Sequence, residues 1–194
     1  MVLPQLAVRM MRAGTVSQLA VSIGSPPRLT ELLLDDRLEF CFGSSDQFDS
    51  SEVVTRKIGG VPFALITRSG HPLAGRDDLV VRDLIEFPIV DSSHRFGDYF
   101  FNMELPGVTC DNHDILRLIT LESDSIWVSS PAFVLKDLQE GTLTTLNVWG
   151  LNFEYNQISV ISPKARTLSP AANQVIAEVE AILRDLPPAN PSAK

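Results

Sequence analysis

The sequence predicts an α/β fold in which mostly parallel sheets are covered by helices, and three observations predict it. Short apolar runs that read as buried strands alternate with segments of helical periodicity. Gly, Pro and Ser mark the junctions between them. The composition of the 194 residues, 44% hydrophobic and 21% charged without a biased tract, is that of a globular chain able to bury a core.

Taken in order, Leu3, Leu6, Ala7, Met10 and Met11 recur at helical spacing after Pro4, and Gly14 supplies a stop, so the chain opens with a short amphipathic helix. Alternation of Leu19, Val21 and Ile23 in VSQLAVSI predicts a strand. GSPPR turns into a helix over LTELLLDDRL, and EFCFGSS is a short buried strand with a polar exit. DQFDSSEVVTRKIGG reads as a polar stretch before the strand VPFALIT and the loop RSGHPLAG, where Gly70 permits positive φ and Pro72 drives His71 out of the helical region.

A short helix around VVRDLIEF, a strand at PIV and a Ser-rich turn into RFGDYFFNME come next. The strand VTCD, the helix HDILRLITLE, the strand SIWVSS and the helix PAFVLKDLQEG follow, then two strands, TLTTLNV and NQISVIS. In the last helix Ser169 caps, Pro170 takes the first position, and Ala172, Val175, Ile176, Val179, Ile182, Leu183 and Leu186 form one apolar face. The tail PPANPSAK reads as frayed.

A formal charge of −8 disfavours nucleic acid or an anionic membrane as a partner of this chain alone, because both demand a positive field. No run approaches the ~18 apolar residues of a membrane span, and the first residues lack the pattern of a secretory signal. Cys41 and Cys110 read as two small buried hydrophobes rather than a disulfide, which suits a reducing, cytoplasmic setting.

The order of these segments resembles the effector-binding domain of LysR-type transcriptional regulators over nearly the whole chain. LPQLAVRM, LTELLLDDRL with EFCF, IGGVPFALITRSGHPLAG, LVVRDLIEFPIV, SPAFVLKDLQEGTLTTL and LSPAANQVIAEVEAIL carry the likeness. The most specific element sets His71-Pro72-Leu73-Ala74 after an apolar strand and before Asp83-Leu84 and Phe87-Pro88-Ile89. The resemblance implies a two-lobed clamshell similar to periplasmic solute-binding proteins, with two mainly parallel sheets and a small polar or anionic effector in the cleft between lobes. Residues 1–67 with 163–194 would form the first lobe and 68–162 the second. It also implies a homodimer or tetramer, and DNA contact only through a helix-turn-helix domain that this chain does not carry. The family domain's first strand is absent here, and the usual Gly-x-Gly before the second-lobe strand is replaced by Ser123-Asp124-Ser125. A transporter's solute-binding protein has the same architecture and is the alternative reading.

Strand ends rich in small hydroxyl residues and backbone N–H groups can cradle anions. The candidates are Gly24, Ser25 and Ser44 in the first lobe, and Ser92, Ser93, Asn112, Ser129 and Ser130 in the second. Any one of them taken singly reads more readily as a helix cap or turn residue, and their convergence is supplied by the resemblance. Arg68, placed by the resemblance near the hinge and mouth of the cleft, either pairs with an effector carboxylate or forms an ordinary surface ion pair. No metal is assigned, since His71, His94 and His113 lack ligand spacing. No cofactor or catalytic residue is assigned either, for want of a phosphate-binding glycine loop or an activated-nucleophile motif.

Overall fold

A computed structural model describes residues 2–14, 18–48, 51–92, 106–151 and 156–186. They fall into two compact units, one within Met1–Val61 and Tyr155–Leu186, the other within Pro62–Glu154. The change of unit thus falls earlier than residue 68 on the way out and earlier than residue 163 on the return.

In the first unit, α1 (Val2–Ala13) buries Leu6 and Met10 against Val175, Val179, Ile182 and Leu183 of α6 (Pro170–Arg184). Gly14, at φ 60, ends α1 as the sequence predicts. The start of α6 is equally legible: Ser169 Oγ accepts from the Ala172 N–H at 3.1 Å and Pro170 follows. Glu39 adds a second tie there by accepting from both the Ser169 N–H and its hydroxyl. The sheet order is β1-β8-β2, formed by β1 (Cys41–Gly43), β8 (Asn156–Pro163) and β2 (Val53–Val61), with both pairings antiparallel. Its other face packs on α2 (Pro26–Leu34) through Leu29, Leu33, Cys41, Phe48, Val53 and Ile161.

Three expectations change here. The stretch 18–23 forms no strand, and Leu19, Val21 and Ile23 are exposed, since alternation yields a strand only where a sheet edge accepts its backbone. The segment read as merely polar contains β2, hidden because a bulge between Lys57 and Gly59 shifts the register and breaks the alternation. Gly59 also lets α6 approach, because a Cβ there would meet the Leu183 side chain at 3.0 Å. The pairings among the described residues of this unit are all antiparallel, so the two sheets are not mainly parallel.

The second unit has a mixed sheet, β5-β4-β6-β3-β7. Here β4 (Ile89–Asp91) runs parallel to β5 (Gly107–Thr109) and to β6 (Ile126–Ser129), whereas β3 (Ala64–Arg68) runs antiparallel to β6 and to β7 (Leu143–Leu146). One face buries Leu65, Leu79, Leu84, Ile126 and Val128, the Leu84 coming from the single helical turn α3 (Val81–Leu84). The other buries Ile66, Val90, Trp127 and Leu143 with Leu116 of α4 (His113–Glu122) and Val134 just before α5 (Leu135–Glu140). Arg117 of α4 donates to both carboxylate oxygens of the buried Asp137 on α5, pinning the two helices together. That contact holds the Asp137 carboxyl below its ordinary range.

Both cysteines are free, and burial pushes the Cys41 thiol up to about 11. No helix among the described residues is long and apolar enough to cross a membrane.

Candidate functional site

Because β4, β5 and β6 are parallel, the segments that leave them emerge at one edge of the second unit's sheet. That edge collects Ser92 after β4, Asn112 after β5, and Ser129 and Ser130 at the end of β6, four of the residues the sequence proposes. Ser93 and His94 lie outside the described residues.

Arg68 does not join them. The chain enters β3 near Pro62, and the antiparallel pairing sets Ala64 opposite Ser129 but Arg68 opposite Leu143, at the other edge. There its Nε and Nη2 both donate to Asp124 Oδ1, at 2.9 and 2.6 Å. The loop RSGHPLAG docks at the same place. His71 is buried, its Nδ1 accepts from the Leu73 N–H at 3.0 Å, and its Nε2 faces the Asp124 carbonyl at 3.3 Å. The Nε2–H tautomer satisfies both contacts, and burial lowers the His71 pKa, favouring that neutral form. The loop is thus held by the Asp124 that stands where the resemblance anticipates the middle of a Gly-x-Gly.

The polar exits differ in what they have left to offer. Asn112 Oδ1 accepts from the Asp114 and Ile115 N–H groups at 2.9 and 3.2 Å, so it is a working cap. Ser130 Oγ accepts from Ala132 N–H in the same manner. Ser44 donates to Asp46. Gly24 and Ser25 are exposed at the start of α2, where Pro26 and Pro27 remove two N–H donors that an anion would need. Those two and Ser44 belong to the first unit.

Ser129 stands apart. It is 1% exposed and its hydroxyl has no hydrogen-bond partner among the described residues. Trp127, two residues earlier on the same strand face, is equally buried with its indole N–H unpartnered, and His113 Nδ1 is unpartnered as well. The His113 ring lies 5.9 Å from Trp127 and stacks on Phe133 at 4.3 Å and 14°. Burial lowers its pKa, and Asp114 pulls the other way. Sequence reasoning missed Trp127 and Phe133, which read as core apolar residues; the one available signal was a His placed directly after a capping Asn at a strand exit.

A depression of about 360 Å³ in the first unit is lined by Leu34, Glu52, Pro163, Lys164, Ala165 and Arg166, none of them proposed from the sequence. Arg166 pairs with Asp36, and the Lys164 N–H donates to the Glu52 carbonyl at 2.7 Å. Among the described residues no group of three His, Cys, Asp or Glu side chains is placed to hold a metal.

Comparison with known proteins agrees with this architecture. The chain is 29% identical over 154 residues to the SDS degradation transcriptional activation protein of Pseudomonas sp. (strain ATCC 19151), a match covering 74% of this chain and 50% of that protein. It superimposes on HinK, a LysR family transcriptional regulator from Pseudomonas aeruginosa, with TM-score 0.77 at 15% identity, over 94% of this chain and 65% of HinK. The CcmR regulatory domain of Synechocystis PCC6803, solved in complex with 2-PG, matches with TM-score 0.75 at 12% identity, over 95% of this chain and 92% of that one. This chain therefore spans about half the length of the curated relative. The family model for the LysR substrate binding domain matches residues 1–184, and the chain belongs to that family.

Proposed function

We propose that the chain is the effector-sensing part of a LysR-type transcriptional regulator, responding to a small polar or anionic metabolite. The observation that carries this reading is the carboxyl edge of the second unit's sheet, where buried Ser129 and Trp127 keep unsatisfied polar atoms beside the exits of β4 and β5. Polar groups are left bare inside a fold where something else completes them, since each costs about 1 to 3 kcal/mol. The family match favours this reading over a transporter's solute-binding protein. It also favours a regulator over an enzyme, as the matched domain is one that binds ligand for transcriptional regulators.

DNA contact is assigned to a helix-turn-helix domain elsewhere in the protein, consistent with a charge of −8 here. Assembly into a homodimer or tetramer is supported by the exposed Leu3, Val8 and Met11 on α1, and a cytoplasmic location goes with that role.

A thermal-shift screen of organic acids, amino acids and alkyl sulfates tests the reading; the last class enters because the 29%-identical relative is named for SDS degradation. A ligand specific to the native state raises the melting temperature through RT ln(1 + [L]/Kd). A hit whose shift shrinks in Ser129→Ala supports the reading, and a screen without any saturable hit counts against it.

A further inference from the structure

Among the described residues, the buried side-chain polar atoms without a partner are His113 Nδ1, Trp127 Nε1, Ser129 Oγ and Ser159 Oγ. The first three gather on one face of one sheet. Val90 and Trp127 share a register position and a core, and Ala64, opposite Ser129, belongs to that core too, so Trp127 and Ser129 project to the side covered by α4. His113 begins α4 and its ring sits 5.9 Å from the Trp127 ring.

The donor inventory says what is missing. An indole N–H only donates, a serine hydroxyl can donate, and the imidazole Nδ1 can do either, so the absent partner needs lone pairs more than hydrogens. The amino end of α4 adds a positive dipole, while Asp114 opposes it and Arg117 is engaged by Asp137. That balance suits one negative charge rather than two. Beside the polar atoms lies Phe133, 44% exposed and stacked on His113, an apolar surface for whatever the charge is attached to.

We propose that His113, Trp127 and Ser129 receive an oxygen of a small amphipathic monoanion, a carboxylate or a sulfate ester, whose apolar body rests on Phe133. This rests on the effector-sensing reading and names the chemical class it would accept.

The experiment follows the indole N–H resonance of Trp127 by NMR in the 194-residue chain carrying Trp149→Phe, which removes the exposed indole and leaves one reporter. The probes are sodium benzoate and sodium hexyl sulfate, with inorganic sulfate and benzyl alcohol as comparisons. Benzoate or hexyl sulfate should move the resonance saturably, and the one that does so identifies the head group; the same titration should raise the His113 pKa. Inorganic sulfate and benzyl alcohol should act only at far higher concentration. Ser129→Ala, which keeps the reporter, should weaken binding by about tenfold on the same resonance, the loss expected for one charge-assisted hydrogen bond. An indole resonance unmoved by both monoanions overturns the proposal and leaves the cluster as a water site. Equal response to benzyl alcohol overturns it too, as apolar binding alone. If the monoanions instead perturb only amides around Ser25 or Ser44, the site fails while the effector-sensing reading stands.

Discussion

The two units solve the same packing problem with different margins. In the second, each strand of the mixed sheet but the outermost pair lies between two neighbours, and helices cover both faces with Leu84, Leu116, Ile126 and Leu65 almost wholly enclosed. In the first, the described residues form three strands, and the alternating apolar stretch 18–23 lies exposed, with Ile23 at 90%. The difference teaches where each unit keeps its unused capacity. Among the described residues, three of the four buried polar atoms without partners lie in the second unit and the fourth, Ser159 Oγ, in the first, which also leaves the run 18–23 and Met11 as apolar surface without cover.

The largest expected effect comes from opening the better-filled unit. Leu116→Ala should cost about 2 to 5 kcal/mol, because Leu116 is 0% exposed and touches both strand and helix neighbours in its cluster. Urea denaturation monitored through Trp127 measures it. A loss below about 1 kcal/mol would mean that the second unit is more loosely packed than described.

Next in size is the ion pair of Arg117 and Asp137. Asp137→Asn should destabilise by about 1 to 3 kcal/mol, less than for a fully buried pair because Arg117 is partly exposed. Its pH dependence has a definite sign. The Asp137 carboxyl is held below its ordinary 3.8, so its contribution is complete above that value and disappears as pH falls through the lowered native pKa. The variant should therefore flatten the acid limb of the stability curve, and an unchanged limb would contradict the pairing.

His71 gives a smaller effect at milder pH. Its native pKa is depressed below 6.5 by burial, so the unfolded chain binds the proton more readily and stability falls as pH drops below 6.5. His71→Gln should remove the His71 share of that dependence, leaving the share from His113, whose pKa burial also lowers, at a cost of about 1 to 2 kcal/mol for the lost contacts. Hydrogen exchange sharpens the comparison: on acidification, amides of the second unit should lose protection before those of the first.

Smallest on stability, and most telling about the first unit, is Met11→Ser with Ile23→Ser. Both side chains are largely exposed, so the melting temperature should hardly change, within about 0.5 kcal/mol. Sedimentation velocity should nonetheless show a weaker self-association. A wild-type chain that sediments as a monomer at high concentration would leave the exposed apolar surface of the first unit without the role proposed for it.

Legibility of the fold followed the same division. The second unit's elements could be read because buried strands such as PIV and SIWVSS are continuous apolar runs, and α4 carries its cap Asn112 in sequence. In the first unit, α1 and α6 declared themselves through Gly14, Ser169 and Pro170, but β2 was hidden by its bulge and the exposed Thr55-Arg56-Lys57. The stretch 18–23 was misread because alternation reports a face, not the presence of a neighbour. At the site, serine-rich exits were visible, yet which hydroxyls are already consumed by capping was not. That depends on backbone geometry, as the contrast of Ser130 with Ser129 shows. Arg68 was misplaced for a topological reason, since a strand's direction relative to its neighbours is not written in its own residues.

The cysteines turn this division into something that can be timed. A thiol reacts as its thiolate, and with Cys41 pushed up to about 11 only roughly one molecule in ten thousand carries that form at neutral pH. Cys41 is also shut inside the first unit, while Cys110, in the second, is only half-buried. An alkylating reagent added to the native chain therefore marks Cys110 first. Cys41 is marked at the rate at which the first unit opens, so the slow thiol serves as a clock for the breathing of one half of the molecule.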